Sequence, residues 1–181
     1  MSLPRFFQLS RLSRPVCDRV IYRAIKKHRI RSILEVGLGT GERALNMIKV
    51  AQRYAEGGPV RYTGIDLFEG RKASQVQLPL ITAHKELNRL KAKTQLVPGE
   101  PNQTIPRIAN SHLRTDLIVI SAGYDPVSLE RSWFYVPRMI HAHSIVFLQA
   151  PDGFDQPFEV LNRLQIEKLA DKHGLRRPMA A

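Results

Sequence analysis

Ser32-Ile33-Leu34-Glu35-Val36-Gly37-Leu38-Gly39-Thr40-Gly41-Glu42 is the stretch on which the reading of this chain turns. Residues 32 to 36 form a short apolar run of the kind that makes a strand buried on both faces. Gly37 to Gly41 makes a turn, and Ala44, Leu45, Ile48 and Val50 then line a helix. Closely spaced glycines permit positive φ and lack the Cβ atoms that would hold a ligand away from the backbone. Nucleotide cofactors bind at such strand ends in open α/β sheets.

The glycine spacing narrows the choice. A dinucleotide fingerprint has its third glycine three residues after the second. That position is Glu42 here, and its charge would sit near a pyrophosphate. The third glycine is instead Gly41, two residues after Gly39, and Glu35 lies two residues before Gly37. The pattern is acid-x-G-x-G-x-G.

Outward from this turn, short apolar runs alternate with amphipathic stretches, as in a mostly parallel sheet wrapped by helices. Upstream, Ser13 and Pro15 open a helix with Val16, Val20, Ile21, Ala24 and Ile25 at helical spacing. Downstream, Gly57-Gly58-Pro59 breaks the second helix, and Val60 to Leu67 reads as the second strand. Gly70 to Gln77 is a loop. Pro79 to Lys93 follows as a helix with Ile81, His84, Leu87 and Leu90 on one side. Gln95 to Val97 is a third strand, Thr104 to Asn110 a short helix, and Asp116 to Ile120 a fourth strand. Asp125 and Pro126 start a helix through Ile140 that Pro137 kinks. Ser144 to Leu148 is the fifth strand, and Asp155 and Pro157 open a last helix through Leu161, Leu164 and Leu169, ending near Gly174.

In its ordered motifs the chain resembles the class I S-adenosylmethionine-dependent methyltransferases. Glu35 to Gly41 has the form of their first motif, and Asp66 stands at the end of the second strand. Leu96-Val97-Pro98-Gly99-Glu100 is similar to their next strand-end motif, and Asp116 to Ile120 to the strand before the substrate-facing one. The resemblance covers roughly residues 30 to 150. It implies a Rossmann-like three-layer sandwich around a five-stranded, mostly parallel sheet in the order 3-2-1-4-5. It further implies a site for S-adenosylmethionine built from Glu35, Gly37, Leu38, Gly39, Thr40, Gly41, Asp66, Leu67, Gly99, Glu100, Pro101 and Ser121. Asp66 would take the ribose hydroxyls, since a carboxylate's paired acceptors suit a vicinal diol. The segment from Gly99 would contact the adenine.

Two departures limit what the resemblance carries over. The O-methyltransferase branch follows the fourth strand with an acidic metal-binding stretch, where this chain has Ser121-Ala122-Gly123-Tyr124. Hydroxyls there do not replace hard carboxylate ligands, so no metal is expected. Tyr124 and Asp125 are the catalytic candidates, Tyr124 reading better as a packing or gating residue. Family members also end in an antiparallel hairpin, for which the residues after Gly174 are too few. The fifth strand would then be an open edge, covered by the N-terminal segment or by a second copy of the chain.

The chain of 181 residues is expected to form one domain, with residues 1–31 as a basic helical extension. Nine cations from Arg5 to Arg31 are opposed only by Asp18, and the net charge is +12. A solvated helix face is preferred over a nucleic-acid surface, because no interleaved aromatics accompany the charge. A single cysteine, Cys17, and no long apolar run fit a cytoplasmic protein. The expected activity is methyl transfer to an unknown acceptor without a metal. The alternative is a noncatalytic cofactor-binding or interaction module that kept the sheet. A nicotinamide-dependent oxidoreductase is disfavoured by Gly41 and Glu42.

Overall fold

The computed structural model describes residues 8–9, 15–71, 78–121, 126–150 and 157–172. Helices and strands alternate from α1 (Asp18–His28) through β1 (Ser32–Val36), α2 (Glu42–Tyr54), β2 (Arg61–Asp66), α3 (Leu80–Asn88), β3 (Lys93–Pro98) and α4 (Pro101–Ile108) to β4 (Leu117–Ile120). Next come α5 (Pro126–Trp133), α6 (Val136–Met139), β5 (Ile145–Gln149), β6 (Phe158–Leu161) and α7 (Arg163–Lys172). One sheet takes the order β3-β2-β1-β4-β5-β6, parallel except for the last pair.

β1 is buried along its whole length, as a central parallel strand covered on both faces must be. Ile33 faces a core completed by Ile21 and Ile25 of α1, Met47 and Ile48 of α2, and Leu87 of α3. Leu34 and Val36 face the other core, where Ile105 of α4, Trp133 of α5, Met139 of α6 and Ile166 of α7 pack. The three expected layers are present.

The sheet has six strands rather than five. Residues 158 to 161, read above as helix, pair antiparallel with β5 from Val146↔Leu161 to Gln149↔Phe158. Phe158 and Leu161 are buried while Glu159 and Val160 are exposed, and the Phe158 ring meets Phe147 edge-on at 6.0 Å. The last helix starts only after Asn162. There Asn162 Oδ1 accepts from Gln165 N at 2.9 Å and Gln165 Oε1 accepts from Asn162 N at 2.8 Å, a reciprocal capping box. The β5 edge is therefore filled by the chain's own β6, not by the N-terminal segment or a second copy.

Other boundaries shift for local reasons. The helix expected through Ile140 is two helices, because Pro137 has no N–H to give the Trp133 carbonyl and the chain restarts at Val136. α3 stops at Asn88, and Lys91 takes a left-handed φ of 54° before β3. Its buried positions are Ala83 and Leu87, while Ile81, 79% exposed, and His84 face out instead of sharing the buried side with Leu87. α1 begins at Asp18, later than expected, and α4 begins at Pro101, earlier. Ser13, Ala122 to Asp125, Asp155 and Gly174 lie outside the described residues.

Asp116 ties together the amino-terminal ends of three strands. Its Oδ2 accepts from the Arg31 and Ser32 N–H groups, each at 2.8 Å, and its Oδ1 lies 3.0 Å from His141 Nε2. Burial alone would raise this carboxyl, but the two N–H groups and the His141 ring outweigh it and hold it below its ordinary value. A depressed carboxyl stabilises fully above its unfolded pKa of about 3.9 and loses that contribution as pH falls through the folded value. Asp116→Asn should cost about 1–3 kcal/mol in urea unfolding at pH 7. The gap from the unsubstituted protein should shrink on acidification below pH ~4.

Candidate functional site

The expected site residues that are described gather at the carboxyl edge of the parallel strands. Glu35 lies near the end of β1 and the Gly37–Gly41 turn follows it, Asp66 and Leu67 end β2, Gly99 to Pro101 join β3 to α4, and Ser121 follows β4. Tyr124 and Asp125 lie outside the described residues. The glycine turn closes with a Gly41 N–H to Leu38 carbonyl bond of 3.0 Å. Gly37, Gly39 and Gly41 have φ of 87°, 61° and 79°, each in the left-handed region that a side chain resists. A Cβ built on Gly39 meets nothing within 4 Å, so bare backbone faces open space there.

Two of these segments are bonded to the turn directly. Leu38 N–H donates to Asp66 Oδ2 at 2.6 Å, which fixes the β2 end against the turn. Ser121 Oγ donates to the Gly37 carbonyl at 2.8 Å and does the same for the β4 end. The Gly99 N–H donates to the Asp66 carbonyl at 2.9 Å, bringing the third segment alongside.

Asp66 and Glu35 at this edge are each held by an arginine. Asp66 accepts from Phe68 N–H at 3.0 Å and from Arg71 Nε at 2.6 Å, while Arg71 Nη2 reaches its other oxygen. With Leu38 N–H, the four acceptor directions of the carboxylate are all used. Glu35 has no exposed surface and takes Arg43 Nε at 2.7 Å and the Tyr62 hydroxyl. The Arg43 guanidinium also donates to the Gly37 carbonyl at 2.9 Å and to Ser121 Oγ, and reaches Asp18 at 3.5 Å. The Phe158 ring of β6 lies 5.6 Å from its Cζ.

Electrostatics follow from this crowding. Burial works against the charge on Arg43, but Glu35 and Asp18 outweigh it and keep the guanidinium protonated. Burial pushes the Glu35 and Asp18 carboxyls up, with Arg43 opposing it in both. One cation shared by two buried acids leaves a negative excess that a proton or a cationic ligand relieves.

Arg43, Arg71, Asp18 and Tyr62 were not among the expected site residues. Arg43 sits on the first turn of α2 among apolar neighbours, the one local hint that it faces inward. Gly64 is another unexpected participant. A Cβ on it would lie 2.9 Å from Leu38 Cδ1, so the glycine turn packs directly on β2 only because that residue is bare. No group of three or more potential metal ligands occurs among the described residues.

No family model matches this chain, and no curated protein matches it in sequence. Solved structures match it in fold. An O-methyltransferase from Bacillus cereus in complex with SAH aligns with a TM-score of 0.56 and 15% identity, over 80% of this chain and 64% of that one. The SAH-bound Podospora anserina methyltransferase PaMTH1 aligns at 0.54 with 13% identity, over 94% and 76%. The Streptomyces achromogenes O-methyltransferase TomG, in complex with SAM, aligns at 0.54 with 11% identity, over 94% and 75%. This chain thus spans a little under two thirds of the Bacillus cereus enzyme. At such identities the likeness establishes the fold, which is the Rossmann-like fold of class I methyltransferases.

Removing Arg43 would strand Glu35 without its cation. Arg43→Met should destabilise the protein by about 3–5 kcal/mol in chemical denaturation. Adding Glu35→Gln should recover part of that loss, because the two side chains are coupled.

Proposed function

We propose that the chain binds S-adenosylmethionine at the Gly37–Gly41 turn and serves as a metal-independent methyltransferase whose acceptor is unknown. One observation carries the reading: the open, positive-φ turn is bonded through Leu38 N–H to Asp66, the acid that the family resemblance assigns to the ribose diol. The fold shared with structures solved with SAH or SAM supports it. So does the charge of the edge, where, among the described residues, Asp18, Glu35 and Asp66 are ion-paired with Arg43 and Arg71, a deficit that a sulfonium matches.

Bound there, S-adenosylmethionine supplies an already activated methyl group, so transfer rests on proximity rather than on a strong base. The chain's own residues do the holding. Asp66 would offer its oxygens to the ribose in place of Arg71, and the glycine turn would let the backbone approach. Gly99, Glu100 and Pro101 would hold the adenine, and Ser121 would lie toward the reacting carbon. Ser121 is committed to Gly37 and Arg43, which supports chemistry without a metal at the β4 end. Tyr124 and Asp125 remain the candidates for contact with the acceptor. A single cysteine and the absence of a helix long and apolar enough to cross a membrane, among the described residues, favour the cytoplasm.

A second reading has its own observation. Arg43 fills the crevice between β1 and β4, where open α/β sheets take their ligands. That favours a noncatalytic module in which the arginine stands permanently in the site.

Calorimetry separates the readings. S-adenosylhomocysteine (SAH) should bind, Asp66→Asn should abolish the heat, and Arg71→Gln should tighten binding about fivefold by freeing two acceptor directions on Asp66. No heat with S-adenosylmethionine or SAH, in either the unsubstituted protein or Arg71→Gln, overturns the proposal. Binding without transfer to any acceptor favours the second reading.

A further inference from the structure

The amino-terminal ends of β1, β2 and β3 enclose a cavity of about 280 Å³, at the opposite edge of the sheet from the glycine turn. Its origin is a mismatch of lengths. α4 has eight residues and covers about 12 Å, while β2 and β3 have six each and run about 20 Å. The uncovered end of that sheet face forms the floor, and residues 111 to 113 form a wall.

The floor is cationic. Arg61 and Lys93 are register partners on adjacent parallel strands, and both line the cavity together with Gln95, two residues further along β3. Strand spacing places the two backbones about 4.8 Å apart. Like charges directly opposite in a ladder are destabilising. Neither cation has an ion-pair partner among the described residues, the Gln95 amide has no hydrogen-bond partner among them, and no acid lines the cavity.

The wall is built and satisfied. His112 Nδ1 lies 3.0 Å from both the Ile108 carbonyl and Ser111 Oγ, and its Nε2 lies 2.8 Å from the hydroxyl of the buried Thr63. Thr115 Oγ1 donates to the His112 carbonyl at 2.8 Å and pins the loop. Unused donors and unopposed charge thus sit on one rigid floor.

We propose that this cavity is a binding site for a phosphate group carried on a small organic body. A phosphomonoester dianion balances both cations and has three terminal oxygens, enough to reach Arg61, Lys93 and Gln95 together. A carboxylate balances only one cation. The volume is ample for a phosphate and a few further atoms. A nucleic-acid backbone phosphate is a diester, a monoanion with two terminal oxygens, and like a carboxylate it balances only one of the two cations; a polynucleotide is therefore the competing occupant that the test must separate.

The test is amide NMR of the full chain in 150 mM salt, titrated separately with glycerol 3-phosphate and with a single-stranded RNA 12-mer. Saturable shifts are expected at Thr63, Gln95 and His112. Arg61→Gln and Lys93→Gln, both at exposed positions, should each weaken binding about tenfold. A control with Arg23→Gln and Lys27→Gln on α1 should leave it unchanged. Saturation by glycerol 3-phosphate supports the proposal; a response to RNA alone overturns it in favour of a polynucleotide surface. No saturable shift with either probe, or equal weakening by the α1 control, overturns the proposal.

Discussion

A guanidinium with little contact with water, donating at once to a carboxylate, a main-chain carbonyl and a hydroxyl, holds the upper half of this domain together. Arg43 links α2 to β1 through Glu35, to the glycine turn through Gly37, and to β4 through Ser121, while Asp18 brings α1 to the same point. Each of those groups would be costly to bury alone, and each is tolerable because the others are there. The result is a carboxyl edge whose shape depends on one charge. Tyr62 adds a hydroxyl to Glu35 from the neighbouring strand, so even β2 feels that charge.

The two edges of the sheet solve opposite problems. At the carboxyl edge acids outnumber the arginines that face them, and bare backbone stands beside them. At the amino edge Arg61 and Lys93 have no ion-pair partner among the described residues, and hydroxyls are plentiful. Asp116 also stands there, and its three partners are consumed in tying strands together. A net charge of +12 is therefore not spread evenly over the molecule; it leaves an acid-rich crevice at one edge and a basic cavity at the other.

The features legible in the sequence were those carried by neighbouring residues. Short apolar runs give strands wherever the sheet is buried on both sides, which is why β1, β2 and β4 stand within a residue or so of expectation. The glycine turn and Asp66 were readable because their spacing is local. Arg43 and Asp18 were not, since they meet across 25 positions and each looks like surface charge in its own segment. Arg71 belongs to a polar stretch that reads as loop. β6 was missed for a different reason: Phe158 and Leu161, three apart, fit a helix face as well as a short edge strand. The capping pair Asn162 and Gln165 was in plain view and would have placed the helix start correctly.

Gly64 has no polar group to offer a ligand and sits in the middle of a strand, where glycine is ordinarily a weak choice. Its absent side chain is nonetheless the spacer that sets how far Leu38 stands from β2, and with it the N–H that holds Asp66. The turn is thus seated on the sheet as a key seats in its lock. Wear at the seat alters the fit even when every tooth is intact. A side chain at Gly64 would have to displace the tips of Leu38 and Leu96, and so reach the turn from a position that a contact map of any ligand would omit.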